Sequence, residues 1–304
     1  MEGLVSINGK VTPVGEARLS ALDRGFLLGD SIFEVMVGFG NQVLDPEAHL
    51  QRLRESAAMT GMKIPWSDEQ LTFAIQDLLS RTGFPKSWIR LAVSRGTGTG
   101  LRFSPDLEPN LYIYCLPATL QPPEVYETGI RLKRRAQGFT LRGATPKSAN
   151  YLRSIHALSQ AAPAGFDDVL WTNADGEITE ASTANIFLIG RSGDLVEIAT
   201  PPAGSGLLLG ITRMTMIDLL NNARIPVTER IIHQEELPRF DEAFVTSTVR
   251  GLVPVSAIDQ HKLHTRRRQS VFNQIERLFL TRLESILGIK TDWNSGQALE
   301  GDRN

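Results

Sequence analysis

The sequence predicts an α+β fold in two domains, and three observations lead to this prediction. Segments with strand-like and helix-like periodicity are mixed along the chain without the strict alternation of a parallel α/β sheet. Hairpin turn signals such as Asn8-Gly9 and Asp175-Gly176 are frequent, which favours antiparallel strands. The pattern of elements changes at the Gln-Pro-Pro core of residues 120–124, which is typical of a linker.

This change of pattern sets the expected domain boundaries. With 304 residues the chain is long enough for two domains, a smaller amino-terminal α/β domain over 1–119 and a larger one over 125–290. The polar residues 291–304 are expected to form a frayed tail.

Local patterns predict the individual elements of both domains. Ser67 and Gln70 have the spacing of a capping box, which marks the start of a helix. The elements expected in the first domain are a hairpin over Leu4–Val14, helices over Pro46–Gly61 and from Ser67, and strands over Trp88–Ser94 and Leu111–Leu116. Those expected in the second are a strand over Gly129–Ala136, a helix over about 149–162, a hairpin over Val169–Glu180, strands over Asn185–Ile189 and up to Thr200, a helix over Gly210–Ala223, a strand over Glu242–Thr246 and a helix over Gln269–Leu287.

Composition and charge exclude several classes of protein. The residues are 41% hydrophobic and 22% charged, and the net charge of −2 gives no electrostatic basis for nucleic-acid binding. The single cysteine, Cys115, excludes an internal disulfide and fits a reducing compartment. Since the chain has neither a signal segment nor a long apolar run, we expect it to be soluble and cytoplasmic, with no membrane partner.

Two motifs point weakly to other chemistry. The glycine-rich loop from Gly96 to Phe103 has the glycine content of a dinucleotide fingerprint, but two prolines follow where the required helix should run. A mobile loop near a site is the favoured interpretation. His261 and His264 have the spacing of a metal pair, but their basic neighbours would repel a cation, so no metal site is expected.

Lys147 is the strongest candidate for a reactive group. It lies in the segment Thr-Pro-Lys147-Ser-Ala-Asn-Tyr151, between a predicted strand and an apolar helix, so regular elements would hold it. Desolvation there would favour the neutral amine, which is nucleophilic enough to form an imine. A solvated surface lysine is the ordinary alternative, and Lys147 alone does not decide between the two.

Several further segments occur in order around Lys147. They are Asp23-Arg24-Gly-Phe-Leu-Leu-Gly29-Asp30, His49-Leu-Gln-Arg52-Leu, Glu180-Ala-Ser-Thr-Ala-Asn185-Ile-Phe, Gly210-Ile211-Thr212-Arg213 and Thr246-Ser247-Thr248. Each motif is weak alone, but their order and spacing over about residues 5–260 resemble the class IV aminotransferase family. This family includes branched-chain and D-amino acid aminotransferases and aminodeoxychorismate lyases.

The resemblance implies a homodimer with the two-domain fold of the D-amino acid aminotransferases, in which the larger domain binds pyridoxal 5'-phosphate. Lys147 would form an imine (Schiff base) with this cofactor and shuttle a proton, and Glu180 would pair with the pyridine nitrogen. Leu208 would pack on the ring, and Tyr151 would lie near its hydroxyl. The phosphate would be bound by Arg52, Gly210, Ile211, Thr212, Ser247 and Thr248.

The resemblance leaves the substrate open. Phe33 stands where D-amino acid aminotransferases usually have a tyrosine, and Arg102 is displaced from the position of their carboxylate-binding arginine. Arg90 lies in the strand that shapes the pocket in branched-chain enzymes. Arg102, with Arg250, would attract the substrate carboxylate.

The expected function is therefore transfer of an amino group between a donor and a 2-oxo acid. The donor would be an amino acid, either a D-amino acid or a branched-chain one, or a primary amine. One alternative is an aminodeoxychorismate lyase, which releases pyruvate and 4-aminobenzoate. A more distant alternative is a nucleotide-dependent oxidoreductase that uses the glycine-rich loop.

Overall fold

The computed structural model describes residues 2–102, 104–119, 121–193 and 195–288. The chain forms two compact units, one of Met1–Thr119 with Pro146–Asn150 and one of Leu120–Thr145 with the chain from Tyr151 onward. Pro146–Asn150 thus belongs to the first unit, although it follows the linker in the sequence. The expected division into two continuous segments did not foresee this return of the chain. The expected tail, together with Leu120 of the linker and Phe103 of the glycine-rich loop, lies outside the described residues.

Local patterns in the first unit form as the sequence predicts. Asn8 and Gly9 have φ angles of 49° and 86°, the left-handed geometry of a two-residue hairpin turn. The predicted capping box is present, with Gln70 N donating to Ser67 Oγ at 3.2 Å. The elements are β1 (Leu4–Ile7), β2 (Lys10–Pro13), α1 (Arg24–Leu28), β3 (Ser31–Phe39), β4 (Gln42–Val43), α2 (Pro46–Thr60), α3 (Asp68–Ser80), β5 (Lys86–Ser94) and β6 (Asn110–Pro117).

The described strands of the first unit form one antiparallel sheet in the order β2-β1-β6-β5-β3-β4. One face of this sheet packs on α2 and α3 through buried apolar residues such as Met36, Leu53 and Leu71. Because side chains alternate along a strand, Glu34 lies on the same face as Met36, whereas Phe33 lies on the opposite face. Strand β3 therefore presents a carboxylate towards α2 and an aromatic ring on its other side.

The second unit departs from the prediction in two places. Pro123 and Glu124, expected to end a linker, begin a short helix, and Gly251–Ile258 forms a strand although Pro254 weakens the strand pattern. The elements are α4 (Pro123–Thr128), β7 (Ile130–Ala136), α5 (Leu152–Ala161), β8 (Asp168–Thr172), β9 (Ile178–Ala181), β10 (Asn185–Ser192), β11 (Leu195–Thr200), α6 (Ile211–Asn222), β12 (Val227–Glu229), β13 (Phe240–Ser247), β14 (Gly251–Ile258), β15 (His261–Lys262) and α7 (Val271–Leu287), with 3₁₀ turns at Ala162–Ala164, Ala203–Ser205 and Gln234–Arg239.

The described strands of the second unit form one mixed sheet in the order β12-β11-β10-β13-β14-β7-β8-β9, with β15 beside β14. Strand β7 is parallel to both β8 and β14. The rings of Phe187 and Phe244 are stacked at 4.8 Å across β10 and β13, and Phe272 of α7 packs on Phe244. The α+β prediction is confirmed. Among the described residues, no helix is long and apolar enough to cross a membrane.

Candidate active site

The segment Pro146–Asn150, which carries the predicted reactive lysine, runs along the first half of β3. Phe33 N donates a hydrogen bond to Lys147 O at 3.0 Å, and Lys147 N donates to Ser56 Oγ at 3.1 Å. Ser56 lies on the buried side of α2. The main chain of Lys147 is therefore held on both sides, so its side chain extends from a defined position.

A buried aromatic ring lies beside both Lys147 and an arginine of the same unit. Lys147 Nζ is 4.6 Å from the centroid of the Phe33 ring, and Arg90 Cζ is 3.6 Å from it. Both distances are within the range of a cation–π interaction. Arg90 of β5 is half-buried and stands opposite Tyr114 of β6. This face of the sheet thus combines an apolar ring with two cations.

The opposite face of β3 carries a buried ion pair. Arg52 of α2 donates from Nε and Nη2 to Glu34 at 2.8 and 2.6 Å, and His49 Nδ1 lies 2.8 Å from Glu34 Oε2. Burial by itself raises the pKa of Glu34, but the hydrogen bonds from Arg52 and His49 outweigh burial and hold that pKa at about 2. Burial lowers the pKa of His49, so its ring is neutral at neutral pH and donates from Nδ1.

In the second unit, Glu180 of β9 is held by uncharged donors. Its Oε2 accepts hydrogen bonds from Leu208 N at 3.1 Å and from Asn185 Nδ2 at 3.2 Å. The same Asn185 Nδ2 donates to Leu208 O at 2.8 Å. Because a carboxylate has about four acceptor positions, Glu180 can also pair with a protonated ring nitrogen.

Helix α6 begins with groups that suit an anion. Its N-cap is Gly210, no side chain caps it, and its first turn has no acidic residue. The amides of Ile211, Thr212 and Arg213 have no acceptor within the helix. A Cβ atom at Gly210 would lie 2.1 Å from Asn185 Oδ1. The Asn185 side chain can therefore approach the backbone of residue 210 this closely only because that residue is glycine.

Three hydroxyl side chains lie in sequence at the end of β13. Ser247 is the last residue of the strand, and Thr248 lies in the turn that leads to β14. Thr246 is buried and stands opposite Asn185 in the neighbouring strand, and its Oγ1 has no hydrogen-bond partner within the described part of the chain. A buried hydroxyl without a partner costs free energy, which a bound ligand would recover.

A family model matches most of the chain. The model described as "Amino-transferase class IV" covers residues 31–258. The chain belongs to the class IV aminotransferase family. These enzymes depend on pyridoxal 5'-phosphate, so this chain is an enzyme of the aminotransferase type with that cofactor.

Curated relatives and solved structures agree with the family. A candidate branched-chain-amino-acid aminotransferase of Methanocaldococcus jannaschii is 31% identical over 294 residues, which cover 95% of this chain and 97% of that protein. The D-alanine aminotransferase of Bacillus licheniformis is 26% identical over 84% of this chain and 87% of its own length. The branched-chain aminotransferase of the thermophilic archaeon Thermoproteus uzoniensis, solved with norvaline, superposes with a TM-score of 0.81 at 26% identity, and 96% of each chain is covered.

The residues of this class IV aminotransferase fit pyridoxal 5'-phosphate. The first-turn amides of α6 and the unpartnered hydroxyl of Thr246 are donors suited to a phosphate group. Glu180 offers an acceptor suited to a protonated pyridine nitrogen.

The remaining predicted residues have different surroundings. Arg102 is exposed. Arg250 Nη2 lies 3.5 Å from Asp168 Oδ2 and 3.3 Å from Thr183 Oγ1, so this arginine is paired within the second unit. Tyr151 is the N-cap residue of α5.

The glycine-rich loop between β5 and β6 is anchored rather than helical. Its described residues, 96–102 and those from 104 to 109, contain no helix of the kind that a dinucleotide fingerprint requires. Arg24 N donates to Gly96 O at 2.8 Å, and Gly98 N donates to Leu22 O at 3.0 Å. The Arg24 side chain also donates to Gly100 O. The first half of this loop is therefore attached to α1 and the residues before it.

Some polar residues at the site were not predicted from the sequence. Glu34 stands in an otherwise largely apolar strand, and such an isolated charge is a signal of a buried ion pair. His49 is fully buried and hydrogen-bonded to Glu34. His49, Arg52 and Ser56 recur at helical spacing, so a polar stripe on α2 was visible in the sequence.

Proposed function

We propose that this aminotransferase uses branched-chain amino acids as amino donors and a 2-oxo acid as acceptor. The observation that carries this proposal is the buried ring of Phe33, which lies beside Lys147 and beneath Arg90. An apolar wall for an aliphatic side chain and a cation for a carboxylate thus stand next to the reactive amine. The name of the Methanocaldococcus jannaschii relative supports the same class of donor.

In this proposal Lys147 carries the cofactor and moves the substrate proton. When bound, pyridoxal 5'-phosphate supplies an electron sink for the negative charge that develops at the substrate carbon. Lys147 Nζ accepts the proton from that carbon and later returns a proton. Because Phe33 and Ser56 hold the main chain of Lys147, its side chain extends towards the substrate from a fixed backbone position. Glu180 pairs with the pyridine nitrogen and stabilises its protonated form.

The other proposed cofactor contacts come from residues with fixed donors or apolar surfaces. Arg52 holds Glu34 from Nε and Nη2, and its guanidinium would add positive charge for the phosphate. As the family resemblance implies, Leu208 would pack on the ring and Tyr151 would lie near the ring hydroxyl. By the same resemblance, the phosphate would be held by Arg52, Gly210, Ile211, Thr212, Ser247 and Thr248.

Arg90 is the proposed partner of a substrate carboxylate, since its guanidinium lies over the same ring as the reactive amine. Arg102 and Arg250 stay predictions from the resemblance. Arg250 is less suited to bind a substrate carboxylate, because Asp168 already pairs with it.

The donor class is tested by initial rates with a set of amino donors. Purified enzyme with pyridoxal 5'-phosphate would be supplied with L-valine, L-leucine, D-alanine or an (R)-amine, each with 2-oxoglutarate or pyruvate. We expect the L-branched-chain donors to give the highest kcat/KM. Faster turnover of D-alanine or of the amine would contradict this proposal, as would release of pyruvate and 4-aminobenzoate from aminodeoxychorismate.

The role of Lys147 is tested by Lys147→Ala. This variant should lose both the visible absorbance of the imine and the transamination activity, because both require the Lys147 amine. Lys262→Ala is the matched control, since Lys262 is an exposed lysine of the second unit. If Lys147→Ala retains the absorbance or the activity, Lys147 does not carry the cofactor.

We also propose that the enzyme is a homodimer of the cytoplasm, as the family resemblance implies. Leu152 and Ile155 on α5 are 80% and 60% exposed, which is unusual for large apolar side chains and favours an interface. Light scattering of the purified protein should give twice the mass of 33.5 kDa. A monomer at micromolar concentration would exclude a stable dimer.

A further inference from the structure

We infer that Asn185 is a positioning residue that holds Glu180, Leu208 and the start of α6 in one arrangement for binding the cofactor. This inference rests on the proposed role of Glu180 in cofactor binding. Asn185 occurs in the family motif, but the motif alone does not show what this residue does. The role follows from the atoms that its side chain contacts.

The amide nitrogen of Asn185 joins two neighbours. Nδ2 donates to Glu180 Oε2 at 3.2 Å and to Leu208 O at 2.8 Å. An amide nitrogen has two hydrogens, so these two bonds use its full donor capacity. Leu208 N donates to the same Glu180 oxygen at 3.1 Å, which closes a ring of hydrogen bonds. The carboxylate cannot rotate without breaking bonds to both the asparagine and the main chain.

The amide oxygen of Asn185 lies against the start of α6. A Cβ atom added to Gly210 would be 2.1 Å from Asn185 Oδ1, so the oxygen occupies the place where any other residue would have a side chain. Gly210 is the N-cap of the helix whose first amides suit a phosphate. A displacement of Asn185 would therefore change the position of Glu180 and the packing of this N-cap together.

Asn185 is itself anchored firmly. It is the first residue of β10, it is 3% exposed, and its Cα stands opposite that of Thr246 in β13. Both strands belong to the interior of the sheet, and the ladder between β10 and β13 begins at the pair of Asn185 and Thr246. The Asn185 side chain is thus fixed by the sheet, and it in turn holds the carboxylate of Glu180 and the start of α6 in place.

The ordinary alternative is that Asn185 is only a buried amide that satisfies its own hydrogen bonds. The same unit contains a second buried asparagine that donates to a glutamate, and a comparison of the two asparagines separates these explanations. Asn173 Nδ2 donates to Glu177 Oε2 at 2.6 Å, and Asn173 is also buried. Glu177 in turn pairs with Arg142, so this asparagine supports a hairpin and a surface ion pair.

The experiment compares Asn185→Ala with Asn173→Ala. Three quantities would be measured: the thermal stability of the apoenzyme, the Kd for pyridoxal 5'-phosphate from titration of the apoenzyme, and kcat and KM of the holoenzyme. Both variants should lower the melting temperature, since both lose a buried hydrogen bond to a carboxylate. Only Asn185→Ala should weaken cofactor binding, by about tenfold or more, and lower kcat more than it changes KM.

A second variant covers the case in which Asn185→Ala does not fold. Asn185→Asp keeps the shape of the side chain but replaces both donor hydrogens with a negative charge, which repels Glu180. It should weaken cofactor binding more strongly than Asn185→Ala, whereas Asn173→Asp should leave the Kd within about threefold of the wild type.

The inference is overturned if the Asn185 variants bind the cofactor within about threefold of the wild type, or if the Asn173 variants lose as much affinity. Failure of the proposed function would look different. In that case Lys147→Ala would keep the imine absorbance or the transamination activity, whatever the Asn185 variants do.

Discussion

The two units of this enzyme hold their key side chains by different means. Behind the Lys147 segment, the first unit buries formal charges: Glu34 is fully buried and lies between Arg52 and a neutral His49. In the second unit, a side-chain amide and a main-chain N–H position the carboxylate of Glu180.

This difference sets the expected consequences of substitution. Removing one partner of a buried ion pair leaves an uncompensated charge, which costs about 3–5 kcal/mol. Removing a neutral donor from a carboxylate costs less, about 1.5–3 kcal/mol. We therefore expect substitutions in the charged cluster to lower folding stability strongly, with an added loss of cofactor affinity at Arg52, the proposed phosphate contact, and those around Glu180 to act mainly on cofactor binding.

The largest effect is expected from Arg52→Met. The change leaves Glu34 buried without its bidentate partner, so the free energy of unfolding should fall by about 3–5 kcal/mol, measured by urea denaturation of the apoenzyme. Arg81→Met removes an exposed ion pair with Asp77 and should cost about 0.5 kcal/mol or less. Similar losses in the two variants would mean that burial does not distinguish these pairs.

The next largest effect is the loss of folding stability at acidic pH. The folded-state pKa of Glu34, about 2, lies below its ordinary value of 4.5, so its contribution to stability is full above pH 4.5 and is lost as the pH falls towards 2. The loss is about 3 kcal/mol. The lowered pKa of His49 adds an earlier decline, which begins below pH 6.5 because the unfolded ring takes up a proton more readily.

Urea denaturation between pH 7 and pH 3 checks both parts of this acid profile. Glu34→Gln should make the decline below pH 4.5 shallower, since the amide does not titrate, while other carboxyl groups with a lowered pKa, such as Asp30 and Asp259, still contribute to it. His49→Gln should remove the decline that begins near pH 6.5. A Glu34→Gln profile parallel to that of the wild type would show that Glu34 is not the group responsible.

A smaller effect is expected from Gly210→Ala. The backbone at Gly210, with φ of −68° and ψ of 134°, is accessible to alanine, so any effect must come from the contact of the new methyl group with Asn185 Oδ1. We expect a loss of about 1–3 kcal/mol in cofactor binding free energy. Gly204→Ala is the control, because no atom lies within 4 Å of its added Cβ. An unchanged Kd for Gly210→Ala would mean that this contact is easily relieved.

The smallest effect is expected from Ser56→Ala. This change removes the acceptor of Lys147 N, so stability should fall by about 1 kcal/mol and kcat by a few-fold, with KM nearly unchanged. Thr60→Ala removes a hydroxyl one turn along α2 that bonds only within the helix. If both variants lower kcat equally, the hydrogen bond to Lys147 has no special part in turnover.

What could be predicted from the sequence depended on distance along the chain. The turn at Asn8-Gly9 and the Ser67 capping box were predictable because each is decided by two to four neighbouring residues. The Glu34–Arg52 pair joins residues 18 positions apart, and Ser56 and Lys147 are 91 positions apart. No local pattern contains such contacts, although the polar stripe on α2 indicates that its buried face has polar partners.

The predicted site residues came from the resemblance rather than from local physics. Motif order identified the family correctly, but it did not separate Asn185 and Thr246 from their neighbours. A motif records which residue types occur together, whereas the role of a side chain depends on the atoms that it contacts in the folded chain. The structure therefore adds most where one residue, such as Asn185, contacts several others.

The return of Pro146–Asn150 to the first unit has a consequence for biosynthesis. On a ribosome, all described strands of the first sheet are complete once residue 117 has emerged, yet the segment that covers the outer edge of β3 is made only after residues 120–145. Until then this edge is exposed and able to pair with other chains. The growing chain acquires its proposed catalytic lysine late, and the same event closes an edge that is prone to aggregation.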